Sequence, residues 1–235
     1  MLKKFNNFGF FFDVFYSSIT LTLHLCNSVE IYHFLKYNMP IDNNTLKGYR
    51  RGIMEETFAE YILNEKNWVR KLEIMFYLQK KTRIFFDKTV VFKSELAKLF
   101  IETMKLDVDE NLVITACLLC NCKKTDDFSD LEKVKSYAKE GAEYLKTLGF
   151  SKYFCKICEE VNRYSESYPR ERESDILELV DQFGGMLLDR PERIGFKPDE
   201  ALVLLEYRNL KGKENVYLEQ FKEFVNKMQE VYIWV

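Results

Sequence analysis

Asp181 is read as the single acid in an apolar helical run made by Ile176, Leu177, Leu179, Val180, Phe183, Met186 and Leu187. A carboxylate in such a stripe needs a partner or a metal, because burying it alone is costly. Asp189-Arg190-Pro191 and Arg193 follow, then Pro198, Asp199 and Glu200. An acid, a proline and two arginines at this spacing predict a tight corner after the helix, held by charge-assisted hydrogen bonds. The thiols are a second candidate chemistry. Cys117-x-x-Cys120 and Cys155-x-x-Cys158 form two C-x-x-C pairs, with Cys122 beside the first. Such pairs bind zinc when each sits on a turn. Here both lie in helix-like apolar stretches, where cysteine is an ordinary core residue. Plain core cysteines are therefore the favoured reading, and a zinc site at Cys117, Cys120, Cys155 and Cys158 is the alternative. The only histidines are His24 and His33. Their spacing does not suit a helical metal pair.

The stretch from Asp175 to Glu200 resembles the last third of the HD-GYP family, a branch of the HD metal-dependent phosphohydrolases. There a helix carries the final metal-binding Asp and ends in a Ser-Asp-Arg-Pro-Tyr-Arg corner. Asp181 matches that Asp, and Asp189, Arg190, Pro191 and Arg193 match the corner, while Leu188 and Glu192 replace its Ser and Tyr. Pro198 to Leu202 is similar to the family's next helix start. The resemblance spans roughly residues 90 to 230 and is most specific over 175–202.

The resemblance implies imidazoles and carboxylates gathered on divalent metals, which generate a hydroxide and clamp phosphoryl oxygens. The family's Leu-Leu-His-Asp-Ile-Gly-Lys motif falls on Leu118 to Lys124, so Cys120 and Asn121 replace its metal-binding pair and Lys124 survives. A further ligand His falls on Tyr137, with Glu140, Gly141 and Ala142 nearby. The GYP loop is shortened to Ser165 to Pro169, with Ser167 in place of its Gly. No histidine follows residue 33. Cys120, Asn121 and Asp181 are thus vestigial metal positions. The implied protein is a catalytically inactive HD-GYP-like module linked to cyclic-dinucleotide signalling; the six cysteines, set in apolar surroundings rather than in a secreted disulfide framework, point to the cytoplasm. It would act through a partner protein or through a nucleotide pocket around Lys124, Arg190 and Arg193. No cofactor is expected, and self-association as a homodimer is allowed. The alternative is a residual metal-dependent phosphohydrolase with a non-standard site. In the inactive reading, Asp181 is a structural carboxylate paired with Arg190 or Arg193.

These residues need a scaffold. The chain has 235 residues, 47% hydrophobic, with only 9 Gly and 4 Pro, which suits a large helical core. A formal net charge of −2 gives no electrostatic argument for nucleic acid or an anionic membrane. The expected fold is all-α, an HD-like bundle over 88–235 preceded by a mostly helical region over 1–87. The aromatic run from Phe8 to Leu25 is interrupted by polar residues and is read as buried rather than membrane-spanning. Apolar spacing predicts one helix from Asn44 or Thr45 through Ile62, then helices over 67–86, 93–104, 111–122 and 131–148. Gly149 is expected to close the last of these. Ser151 caps the next, through Val161. Ser174 is expected to cap the Asp181 helix. Asp199 starts the following helix, and Tyr217 to Tyr232 forms the last.

Overall fold

A computed structural model describes residues 57–81, 84–86, 88–124, 131–161, 170–189, 193–209 and 215–233. Nearly all belong to one compact unit, Thr57–Glu230. The expectations for residues 1–56, including His24, His33 and the aromatic run, lie outside the described residues. So do Arg190, Pro191, Glu192 and the Ser165–Pro169 loop.

The described residues form nine helices and no strand. These are α1 (Phe58–Asn64), α2 (Trp68–Lys81), α3 (Lys88–Met104), α4 (Glu110–Leu119), α5 (Leu131–Thr147), α6 (Lys152–Glu159), α7 (Arg172–Leu187), α8 (Pro198–Asn209) and α9 (Leu218–Ile233). The expected all-α class is therefore observed. None of these helices is long and apolar enough to cross a membrane.

Helix α4 is the centre. Every residue from Val113 to Leu119 is buried, and α1, α2, α3, α6 and α7 all pack against it. A helix that is apolar on all sides has no face to give to water, so its neighbours must enclose it. Asp109 starts it by accepting the N–H of Leu112 at 3.0 Å. Helices α3 and α7 pack side by side on α4, and α5 and α6 pair as a hairpin. Gly149 turns that hairpin with φ of 93°, and Ser151 caps α6 by accepting from Phe154. Phe221 and Phe224 of α9 dock on Phe100 of α3, and Phe221 also meets Phe183 of α7, with ring centroids 4.9–5.3 Å apart. Each fully buried ring of this kind contributes on the order of 1.5–3 kcal/mol.

Several expected boundaries move. The helix expected to run through Ile62 does not continue through Thr57, which is extended (ψ 159°) and starts α1 with a capping box to Glu60. Helix α2 stops at Lys81 rather than Phe86; Ile84 and Phe86 are buried in an irregular segment, where Gln79 donates to the Phe86 carbonyl and Phe85 to that of Cys122. Helix α3 begins at Lys88, five residues before the expected Lys93. Ser174 does not cap α7. It lies buried in the first turn, and its hydroxyl donates to Glu160 at 2.7 Å; Glu171 takes the cap position without a side-chain bond.

Candidate functional site

Asp181 sits on the face of α7 that meets α3 and the end of α4. Its partner is Lys93 of α3, whose ammonium lies 2.5 Å from Asp181 Oδ1. The side chains are 6% exposed for Lys93 and 19% for Asp181. The Asn121 amide donates to the same oxygen at 3.2 Å. Burial opposes ionisation of Asp181, but Lys93, then Lys124, then the Asn121 amide outweigh it and hold the carboxyl well below the usual carboxylate range. The expected pairing with Arg193 is not found: Lys93 takes the carboxylate.

Local sequence explains the approach. Gly184 stands one turn after Asp181, and a Cβ there would meet Lys93 Cγ at 3.0 Å and Phe92 Cε1 at 3.4 Å. The missing side chain lets α3 lie close enough for its lysine to reach α7. Lys93 shares an apolar stripe with Val90, Ala97 and Phe100, all buried. A charged residue in that stripe was the available sequence signal for it.

Cys120, Asn121 and Asp181, the positions that the resemblance equates with metal ligands, do come together. Asn121 and Asp181 are bonded, and the field of Asp181 also raises the thiol of Cys120 and the hydroxyl of Tyr137, each already raised chiefly by burial. Lys124 lies within the field of Asp181, with its ammonium 5.8 Å from the centre of the Tyr137 ring. Arg193 is engaged elsewhere. It donates to the carbonyls of Gly185 (2.8 Å), Met186 (3.0 Å) and Ile194 (3.2 Å) and lies over the Phe196 ring. It thereby caps the carboxyl end of α7, while Asp189 accepts the Gly195 N–H at 2.6 Å. The corner is held by these bonds to the main chain.

The donor set does not suit the divalent metal that the resemblance implies. Asp181 is committed to a lysine, and its neighbours are an amide, a phenol and a thiol. No group of three or more His, Cys, Asp or Glu among the described residues is placed to hold a metal ion. Cys117, Cys120, Cys122, Cys155 and Cys158 are all buried free thiols. Burial raises each of them, Cys122 to about 12, and the Cys120, Cys122 and Cys155 sulfurs lie 3.6–3.8 Å from backbone carbonyls. Burial thus disfavours the thiolate form at each of these positions.

Sequence reading missed a second charged cluster. The Asp181 run carries another acid, Glu178, which is 2% exposed. Arg170 bridges Asp175 and Glu178 at 2.9 Å each. Asp175 accepts the Val216 N–H, and the Asn215 amide donates to the Asp175 carbonyl, so the segment before α9 is clamped onto α7. Glu160, fully buried, accepts from Ser174 and from the Glu171 N–H and adds α6 to the clamp. Comparison of the chain with protein-family models, curated proteins and solved structures gives no match.

Proposed function

We propose that the chain is a catalytically inactive HD-GYP-like module that regulates through a partner protein. The Lys93–Asp181 pair carries this reading. At the positions that the resemblance equates with metal ligands, the Asn121 amide donates to one Asp181 oxygen, and the Lys93 ammonium supplies the positive charge on that same oxygen. A lysine can neutralise a buried carboxylate and hold two helices together. It cannot bind and acidify a water as a metal ion does. The reading thus keeps the scaffold and removes the chemistry.

Of the two routes of action, the arrangement favours a partner protein over a nucleotide held by Lys124 and Arg193. All of the Arg193 bonds above go to carbonyls, and Lys124 faces a carboxylate that would repel a phosphate. The test is a panel of cyclic dinucleotides with Mg2+ and Mn2+, followed for turnover and for binding. The expected result is no hydrolysis and no binding that depends on Lys124. A metal-dependent rate that disappears in a folded Asp181→Ala variant would overturn the proposal, as would nucleotide binding lost in Lys124→Ala.

A further inference from the structure

Helix α8 carries apolar residues on two sides. Ala201, Leu202 and Leu205 are buried, and the helix packs against α7. Val203 and Tyr207 are instead 65% and 57% exposed. They stand one turn apart on one strip of the helix, with the half-buried Leu204 beside them. A single exposed apolar residue is ordinary. Among the described residues, however, only five large apolar side chains are exposed, and two of the five share this strip. Helix α9 does not cover it. Its ties to α8 run through Lys222 to Glu206 and Gln229 to Asp199, at 3.1 Å each, along one edge of the strip.

Charge decides what could cover the strip. The first turn of α8 holds Asp199 and Glu200, and the last turn holds Arg208. Glu200 and Arg208 are both exposed. Such ends complement a helix's own dipole, so the charges alone call for no partner. Their placement around the apolar pair does. Glu200 and Arg208 are eight residues apart, roughly 12 Å along the axis, with Leu204 at the midpoint. Val203 and Tyr207 are centred on Leu205, about 1.5 Å further along. The acid, the apolar pair and the base are therefore nearly symmetric about one point.

A second α8 laid antiparallel across the strip, and related by a two-fold axis at Leu204, matches this pattern. It sets Glu200 against Arg208 of the second copy at both ends at once. Between them, Val203 and Tyr207 meet the same two side chains of the other copy. A parallel copy would instead bring like charges together. Other occupants fit less well. A strongly basic peptide would be opposed by Arg208, and an anionic membrane by Asp199, Glu200 and Glu206. The strip is complementary to itself, as an interface with two-fold symmetry requires.

We infer that the outer face of α8 joins two copies of the chain as an antiparallel helix pair. Val203 and Tyr207 form its apolar centre, and Glu200 and Arg208 set its direction. A helix of 12 residues is about 18 Å long. Two such helices cover less than the area of a standard stable interface, so the dimer is weak, with a dissociation constant on the order of tens of micromolar. The inference does not rest on the inactive HD-GYP-like reading, because it uses neither the Lys93–Asp181 pair nor the loss of metal ligands.

The experiment is sedimentation of the full chain at low salt, from about 1 to about 500 μM, a range that brackets the expected constant. The unaltered chain should pass from monomer to dimer. Arg208→Glu sets acid against acid at both ends of the pair, and Glu200→Arg sets base against base. Each variant alone should weaken association at least tenfold, and an equimolar mixture of the two should restore it, because opposite charges then meet at both ends. Tyr207→Asp should also weaken it tenfold or more. That variant tests the face without touching Glu200, which accepts the Lys197 N–H at the start of α8. Circular dichroism checks that each variant keeps its helices. A chain that stays monomeric throughout the range overturns the inference. So does a dimer that Tyr207→Asp leaves unchanged, or a mixture of the two charge variants that associates no better than either alone.

Discussion

The Lys93 ammonium and the Asp181 carboxylate meet at 2.5 Å across 88 residues of chain, and they join α3 to α7 beside the carboxyl end of α4. Neither partner can be removed alone without leaving a charge in the core. Lys93→Met should lower stability by about 3–5 kcal/mol, the usual cost of an orphaned buried charge. Lys93→Met with Asp181→Leu should recover most of that loss. Urea unfolding of the two variants decides the point, and equal instability of single and double variants would count against a buried pair.

The same pair sets an acid dependence. Asp181 is held well below the usual carboxylate range in the fold, against about 3.9 for an unfolded Asp. Its contribution is therefore complete above the unfolded value and is lost as pH falls toward the folded one. Asp181→Asn should show a shallower loss of stability below about pH 4 than the unaltered protein. Parallel acid titrations followed by circular dichroism would reveal the difference.

Gly184→Ala tests the close approach of the helices. The new methyl would press on Lys93 Cγ at 3.0 Å and on Phe92. A cost of about 1–3 kcal/mol is expected from such overpacking. In a double-mutant cycle the effect should couple to Lys93→Met, since the shorter methionine tip carries no bond to defend. Strict additivity would show that the methyl strains only Phe92.

Much of the scaffold was legible. Ser151 and Gly149 act where their types predicted, and the apolar run of α4 marked the central helix. The Thr57-x-x-Glu60 capping box was also present in the sequence, but the apolar period running past it masked the break. The partner of Asp181 was less accessible. A lone lysine in an apolar stripe signals a buried partner without saying which carboxylate, and the nearer arginines competed for the assignment. The clamp depends on residues from separate turns, so no local pattern could have assembled it.

Arg170 supports two acids at once. Arg170→Ala leaves Asp175 and Glu178 buried without their shared cation, at a cost of about 3–5 kcal/mol. Burial already raises Asp175, while the Val216 N–H and Arg170 pull it down. Without Arg170 it should rise further. The variant should then lose more stability at pH 7 than at pH 4, where the acids can be protonated. Melting curves at both values would check the sign.

Glu95 presents the reverse case. Its Oε2 is buried without a partner, and burial, opposed by Lys98, raises the carboxyl to about 7. The fold thus holds a proton that the unfolded chain releases from about pH 4.3 upward. Stability should fall from this source as pH climbs from there to about 7, with the full penalty present above. Glu95→Gln should therefore raise the melting temperature at pH 8 and change it little at pH 4. A variant less stable at pH 8 would indicate that the carboxylate makes a favourable contact.

Lys71 carries a further buried charge, with 1% of its surface exposed. Its ammonium donates to the Ile62 carbonyl at 2.5 Å and to the Thr115 hydroxyl at 2.6 Å, linking α1, α2 and α4. Thr115 in turn donates to Asn111, so the lysine ends a short chain of bonds. Burial lowers Lys71 to about 8, against the pull of Glu65 and Asp109. An unfolded lysine titrates near 10.4. Between these values the unfolded chain holds a proton that the fold has released, so stability from this source rises with pH and the penalty is full below about 8. Lys71→Met removes the titration and leaves the Ile62 carbonyl and Thr115 without their donor. The unfolding free energy of the unaltered protein minus that of the variant should therefore increase from pH 7 to pH 10. Urea unfolding of both proteins at those two values measures it directly. A difference that stays constant would mean that Lys71 remains charged throughout and that its two acceptors are enough to hold the proton in the core.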